Sequence, residues 1–215
     1  MKDYQFFCDF DGTITKEDTL NKFLSLYADK EWLKVEDEWV RGKIGSKECI
    51  ERQMQMFPSM DEKTIKNFVD SIEIDPTFPD FLEYLRQENI DFYIVSDGFD
   101  YFIQRILNNN NIFNVKIFSN GLKFENGKFQ INFPYFISSC ENGSGVCKCN
   151  VIKSNRIVTK RLLYAGDGMS DFCASKKVDI LFAKGKLLEY CKNTKIDNFT
   201  EFETFEEIKS YIKAL

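Results

Sequence analysis

Hydrophobic positions along the chain change period twice. The N-terminal run Tyr4-Gln5-Phe6-Phe7-Cys8 stops at Asp9-Phe10-Asp11-Gly12, the pattern of a buried strand that ends in a turn. From Asp18 to Ile72 the spacing becomes helical: Leu20, Phe23, Leu24 and Tyr27 fall at i, i+3, i+4 and i+7, and Trp32, Val35 and Trp39 continue the stripe. Further helices surround Ile50, Met54 and Phe57, then Ile65, Phe68, Val69 and Ile72. This stretch predicts four helical segments and no strand.

Beyond Pro76 and Pro79 helices and strands alternate. Phe81, Leu82 and Leu85 predict a helix, 92–96 a strand, 99–107 a helix and 115–118 a strand. Asn126-Gly127 predicts a hairpin turn between arms carrying Leu122 and Phe124 on one side and Phe129, Ile131 and Phe133 on the other. After a polar loop over 136–145 come a helix from Lys148, a strand at 162–165, a helix near 171–176 and a strand at 179–183. A helix, a short extended piece and a terminal helix close the chain. Such alternation implies right-handed crossovers and an α/β fold built on a doubly wound, mostly parallel sheet. Residues 1–16 and 76–215 are read as the α/β core, and 17–75 as a helical insert after the first strand.

Composition narrows the chemistry. The chain has 215 residues, 29 Lys+Arg against 34 Asp+Glu, 7 Cys and no histidine. Without histidine there is no Ser-His-Asp or Cys-His machinery and no His-ligated zinc. Acid–base work falls to carboxylates, Lys, Tyr or Cys. A net charge of −5 without a basic stripe argues against nucleic acid. No apolar run approaches a membrane span, and no secretory signal follows the N-terminus. The odd, irregular cysteines do not suit a secreted disulfide framework, so a reducing cytoplasm is expected. Cys140, Cys147 and Cys149 suggest zinc, but three thiols lack a fourth ligand, with no histidine to supply it, and Cys-x-Cys is not a usual structural-zinc spacing. A loop of reduced thiols is the expectation. No Walker A pattern occurs.

Ligands of parallel sheets gather at the carboxyl ends of the strands. There the chain places Asp9-Phe10-Asp11-Gly12-Thr13, Ser96-Asp97-Gly98 and Gly166-Asp167-Gly168-Met169-Ser170-Asp171, with Lys148 opening a helix nearby. That many carboxylates require a hard cation, Mg²⁺ by preference, and a lysine and a hydroxyl beside it suggest a phosphate. On an extended chain Asp9 and Asp11 point the same way. One can attack phosphorus while the other handles the leaving group's proton. Gly12 permits the tight turn that aims amides at a phosphate.

These four elements, in this order, resemble the haloacid-dehalogenase-like phosphatases over nearly the whole chain. The insert's position resembles the C1-type cap of the phosphoserine-phosphatase-like branch. The segment Gly145-Val146-Cys147-Lys148-Cys149 and the tail around Asp179–Ala183 resemble the 2-hydroxy-3-keto-5-methylthiopentenyl-1-phosphate phosphatases of methionine salvage. The resemblance implies a Mg²⁺-dependent phosphomonoesterase acting on a small phosphorylated metabolite. Asp9 would be the nucleophile and Asp11 the general acid/base. Asp9, the Asp11 carbonyl and Asp167 would hold the metal, supported by Asp171. Ser96, Lys148, Gly12 and the amide near Asp97 would bind the phosphoryl group, with Lys153 the competing lysine. Phosphoserine phosphatases carry Glu and Arg where this chain has Asp18 and Gln53, and Ser96-Asp97 is closer to phosphocholine/phosphoethanolamine phosphatases. Phosphoserine, phosphocholine, phosphoethanolamine, pyridoxal phosphate and a phosphotransferase activity are the alternatives.

Overall fold

The computed structural model describes residues 3–140 and 142–215. Residues 1 and 2, included above in the core segment, and Glu141 of the polar loop lie outside the described residues. The first strand, β1 (Tyr4–Cys8), is buried along its length. Four helices follow: α1 (Thr19–Tyr27), α2 (Trp32–Val40), α3 (Ser46–Met54) and α4 (Glu62–Asp70). Asp18 and Asp61 cap α1 and α4, their carboxylates accepting the amides of Asn21 and Thr64.

The chain leaves and re-enters the core through a two-stranded neck. Thr15 bridges antiparallel to Ile74, the Lys16 amide donates to the Glu73 carbonyl at 3.0 Å, and the Asp75 amide donates to the Ile14 carbonyl at 2.8 Å. Then come α5 (Phe78–Gln87), β2 (Asp91–Phe99), α6 (Asp100–Asn109), β3 (Lys116–Glu125), β4 (Lys128–Asn132), α7 (Lys148–Asn155) and β5 (Arg161–Gly166). A 3₁₀ turn at Met169–Asp171 leads into α8 (Phe172–Ser175), followed by β6 (Ile180–Ala183), α9 (Gly185–Thr194), β7 (Phe199–Glu201) and α10 (Phe205–Ala214).

The seven-stranded sheet runs β4-β3-β2-β1-β5-β6-β7, parallel except for the β3–β4 hairpin. Alternate side chains build a core on each face. Phe6, Ile94, Leu163 and Phe182 pack with α5, α6, α10 and the insert, whereas Phe7, Val95, Tyr164 and Leu181 pack with α7, α8 and α9. Helices on both faces make the sheet doubly wound. Phe23, fully buried, joins insert to core: its ring meets Phe57 and Phe68 in the insert and Phe102 and Phe129 outside it.

Two elements differ from the sequence pattern. β3 is one continuous strand, although 115–118 and the arm around Leu122 were read as separate pieces. Ser119 and Asn120, between those pieces, are buried within it. β2 continues through Ser96-Asp97-Gly98 to Phe99, with a shift in its pairing to β3 between Val95 and Phe99.

A surface pair also ties insert to core. The Arg105 guanidinium on α6 grips both oxygens of Asp70 at the end of α4, at 2.7 and 2.6 Å, and holds that carboxyl below its ordinary range. The depressed Asp70 stabilises the fold above the ordinary carboxylate pKa and loses that contribution as pH falls through its lowered value. Screened by solvent, the pair contributes about 0.5 kcal/mol. A D70N/R105A double-mutant cycle followed by urea unfolding should return that coupling at pH 7 and none at pH 2.

Candidate active site

β1 ends at Cys8, and the next residues place three polar groups over the carboxyl edge of the sheet. The Asp9 amide donates to the Ala165 carbonyl of β5 at 2.9 Å, prolonging the β1–β5 ladder by one bond. Its Oδ1 accepts the Phe10 amide at 2.7 Å, and its Oδ2 lies 2.8 Å from Lys148 Nζ. Gly12 turns with φ +73°, where a side chain would be strained. A Cβ there would also stand 2.5 Å from Asp167 Oδ2, so only glycine lets the turn close against β5.

Lys148, in the first turn of α7, is 3% exposed. Its ammonium meets Asp9, Asp171 Oδ1 at 2.6 Å and Ser170 Oγ at 2.9 Å. Burial alone would lower its pKa, but the carboxylates of Asp171 and Asp9 outweigh that and hold it well above the ordinary lysine value. Both oxygens of Asp171 are fully engaged. Oδ1 also accepts the Tyr164 hydroxyl at 2.5 Å, and Oδ2 accepts the amides of Asp167 and Gly168 at 3.1 and 3.0 Å.

Asp11 lies toward the insert. Its oxygens accept the Thr19 amide at 3.2 Å and the Ser96 hydroxyl at 3.3 Å. Asp167 Oδ1 accepts the Thr13 hydroxyl at 2.7 Å. Asp97 is held differently. Its Oδ2 accepts the Ser46 hydroxyl of α3 at 2.7 Å, and its Oδ1 accepts the Val146 amide at 2.6 Å. Its carboxylate therefore joins the insert to the loop before α7, leaving the backbone as its means of meeting a phosphate. Lys153 lines a separate cavity beside Cys140, Cys147 and Cys149.

Above Asp9 opens a cavity of about 120 Å³. Asp9, Asp11, Ser96, Asp97, Gly98, Asp167 and Ser170 form the sheet side, and Asp18, Leu20, Asn21, Glu36, Trp39, Ser46, Cys49, Ile50 and Gln53 the insert side. The sequence points to Asp18 and Gln53 by comparison with phosphoserine phosphatases, but it gives the other insert residues no role and shows Trp39 only as part of a helical stripe. Helical period marks a buried stripe but does not say whether the stripe meets protein or a cavity.

Positive charge is scarce here. Burial raises the carboxyl pKa values of Asp9 and Asp11, the neighbouring Asp171 raising Asp9 further. Burial and the Asp171 charge push Asp167 up to about 6, and the neighbouring Asp11 charge raises the carboxyl of the exposed Asp18. Among the described residues no lysine or arginine lines the cavity, and Lys148 is paired with Asp9. One oxygen each from Asp9, Asp167 and Asp171 lies within 4.8 Å of the others. An all-oxygen donor set with unbalanced negative charge fits a hard divalent cation.

Residues 5–185 match the family model described as "Putative Phosphatase". The chain belongs to that family. A 2-hydroxy-3-keto-5-methylthiopentenyl-1-phosphate phosphatase from Bacillus pumilus is 32% identical over 205 residues, covering 94% of this chain and 88% of the relative. One of the same description from Bacillus cereus is 30% identical over 213 residues, covering 98% and 96%. Among solved structures, phosphoserine phosphatase from T. onnurineus superposes with a TM-score of 0.74 at 17% identity, covering 100% of this chain and 96% of that one. The phospho-aspartyl intermediate analogue of a phosphoserine phosphatase gives 0.70 at 18% identity, covering 98% and 99%. These two structures share the fold of this chain, and the family match with the curated relatives makes the chain a phosphatase, a phosphoric monoester hydrolase.

The turn after β1 gives this family member a direct test. Gly12→Ala should cost about 1–3 kcal/mol in urea unfolding through the strained φ alone. It should also lower phosphatase activity beyond that, because Asp167 must move.

Proposed function

We propose that this phosphatase removes the phosphate from a small, otherwise uncharged enol phosphate of the methylthiopentenyl type, through an aspartyl-phosphate on Asp9. One observation carries the reading: Asp9 and Asp11, two residues apart at the end of a buried strand, share the floor of one cavity with the Lys148 ammonium fixed on Asp9.

In this mechanism Asp9 attacks phosphorus with one carboxylate oxygen, the ester bond breaks, and Asp11 gives its proton to the leaving oxygen. Asp11 then takes a proton from the water that cleaves the acyl phosphate. Its raised pKa suits a group that begins protonated. Lys148, Ser96 and the amides at Phe10, Asp11, Gly12 and Asp97 clamp the phosphoryl oxygens. Mg²⁺, when bound, neutralises phosphoryl charge; Asp9, Asp167 and the Asp11 carbonyl would hold it, and Asp171 would hold Lys148 and the Asp167 turn in place. Residues 1–16 and 76–215 serve as core and 17–75 as a cap that shields the reaction from bulk water. The enzyme works in the cytoplasm.

Cavity chemistry supports the substrate class. Leu20, Trp39, Cys49 and Ile50 offer an apolar wall for a thioether tail, and Asn21 and Gln53 offer donors for a ketone or hydroxyl. Asp18 and Glu36, with no lysine or arginine on the wall, disfavour a substrate bearing a second anion such as phosphoserine.

Asp9→Asn should reduce hydrolysis of p-nitrophenyl phosphate in Mg²⁺ by at least about a thousandfold, and exhaustive chelation should abolish it in the parent enzyme. On a panel of phosphomonoesters the methylthiopentenyl enol phosphate should give a higher kcat/KM than phosphoserine. Preference for phosphoserine would refute the substrate assignment while leaving the chemistry standing, and an active Asp9→Asn would refute the chemistry.

A further inference from the structure

Behind the catalytic floor lies a second cluster that the phosphatase reaction does not use. Cys140 belongs to the loop before α7, Cys147 caps α7, Cys149 lies in its first turn and Cys173 sits in α8. Cys149 and Cys173 are joined sulfur to sulfur, with Cα atoms 6.2 Å apart. The thiols of Cys140 and Cys147 are hydrogen-bonded to each other. Cys140, Cys147 and Cys149 line one cavity. The fourth sulfur, 24 residues beyond Cys149, is brought to that group by α8. This corrects the sequence reading on two points: Cys149 is not a free thiol, and a fourth sulfur is present.

We propose that the reduced chain binds a thiophilic divalent cation, zinc by its ligand chemistry, on Cys140, Cys147, Cys149 and Cys173. Four thiolates are a complete structural zinc set. Cys140 is already prepared as a ligand. The backbone amides of Ser144 and Asn142 are directed at its sulfur. Amides bonded to sulfur support ligating thiolates in this way. Lys153, Arg156 and Lys177 line the same cavity and offset the negative charge of a four-thiolate centre.

With the Cys149–Cys173 bond intact only Cys140 and Cys147 are free here, too few to hold an ion. A dithiol reductant breaks that bond, passing two electrons and two protons to the sulfurs and closing its own disulfide. Cation binding then exchanges four thiol protons for four metal–sulfur bonds. The consequence reaches the floor. Cys147 and Cys149 flank Lys148, and Cys173 lies two residues past Asp171. The ion therefore fastens both sides of the Lys148–Asp171 pair.

The test uses the full chain, reduced by a phosphine without oxygen and titrated with Co²⁺ in excess Mg²⁺. A single equivalent of Co²⁺ should give intense thiolate-to-metal charge transfer that zinc displaces. Asp9→Asn should leave the band unchanged, since oxygen ligands do not produce it. Cys140→Ser and Cys147→Ser should each weaken Co²⁺ binding by about tenfold or more. In the unmutated reduced chain, zinc should slow alkylation of these four cysteines by a similar factor, read by peptide mass mapping. Absence of the charge-transfer band, a band indifferent to both serine variants, or alkylation rates unmoved by zinc would each overturn the proposal.

Discussion

One buried ammonium organises the carboxyl edge of this sheet. Removing a lysine from water costs several kcal/mol unless its charge is met at close range. Lys148 is met by Asp9 from β1 and by Asp171 from the turn after β5. Asp171 would itself be an expensive buried charge, but the Tyr164 hydroxyl and two backbone amides satisfy it. The result is a chain of dependence. Tyr164 and the Asp167–Gly168 turn fix Asp171, Asp171 fixes Lys148, and Lys148 fixes the oxygen of Asp9 that faces phosphorus in the proposed reaction.

That chain leaves the cavity side short of positive charge. Among the described residues Asp11 and Asp167 stand in no ion pair, and burial raises both carboxyls despite the more distant charge of Lys148. A divalent cation and the proton that Asp11 carries are the two ways to relieve this. The proposed mechanism needs both. The absence of histidine is consistent with this division of labour, because carboxylates with raised pKa values take over proton transfer.

Much of this was legible in the sequence, for a physical reason. Apolar runs that end abruptly in acidic residues mark strand ends, so Asp9, Asp11 and Asp167 could be placed before their contacts were known, whereas Ser96, read as a strand end, lies within β2. The helical insert was legible from the 3.6 period of Leu20, Phe23, Leu24 and Tyr27. What stayed hidden depends on partners distant in sequence. Asn120 reads as a loop residue but is buried in β3, where its amide donates to the Asp97 carbonyl at 2.6 Å. Cys173 lies too far along the chain for spacing to join it to Cys149. Trp39, Glu36 and Gln53 face a cavity that exists only once α2 and α3 pack over the sheet.

The insert and Lys148 are also not independent. Ser46 opens α3, and its hydroxyl both donates to Asp97 and accepts the Gly145 amide at 3.4 Å. The other oxygen of Asp97 takes the Val146 amide, two residues before Lys148. Lifting α3 would break the Ser46 bond and leave a buried carboxylate with a single backbone donor, a loss on the order of 1–3 kcal/mol. The same aspartate would then be free to pull on the loop that carries Lys148. Asp97 thus does more than line the rim of the cavity. It ties the position of the insert over the substrate to the position of the lysine beneath it.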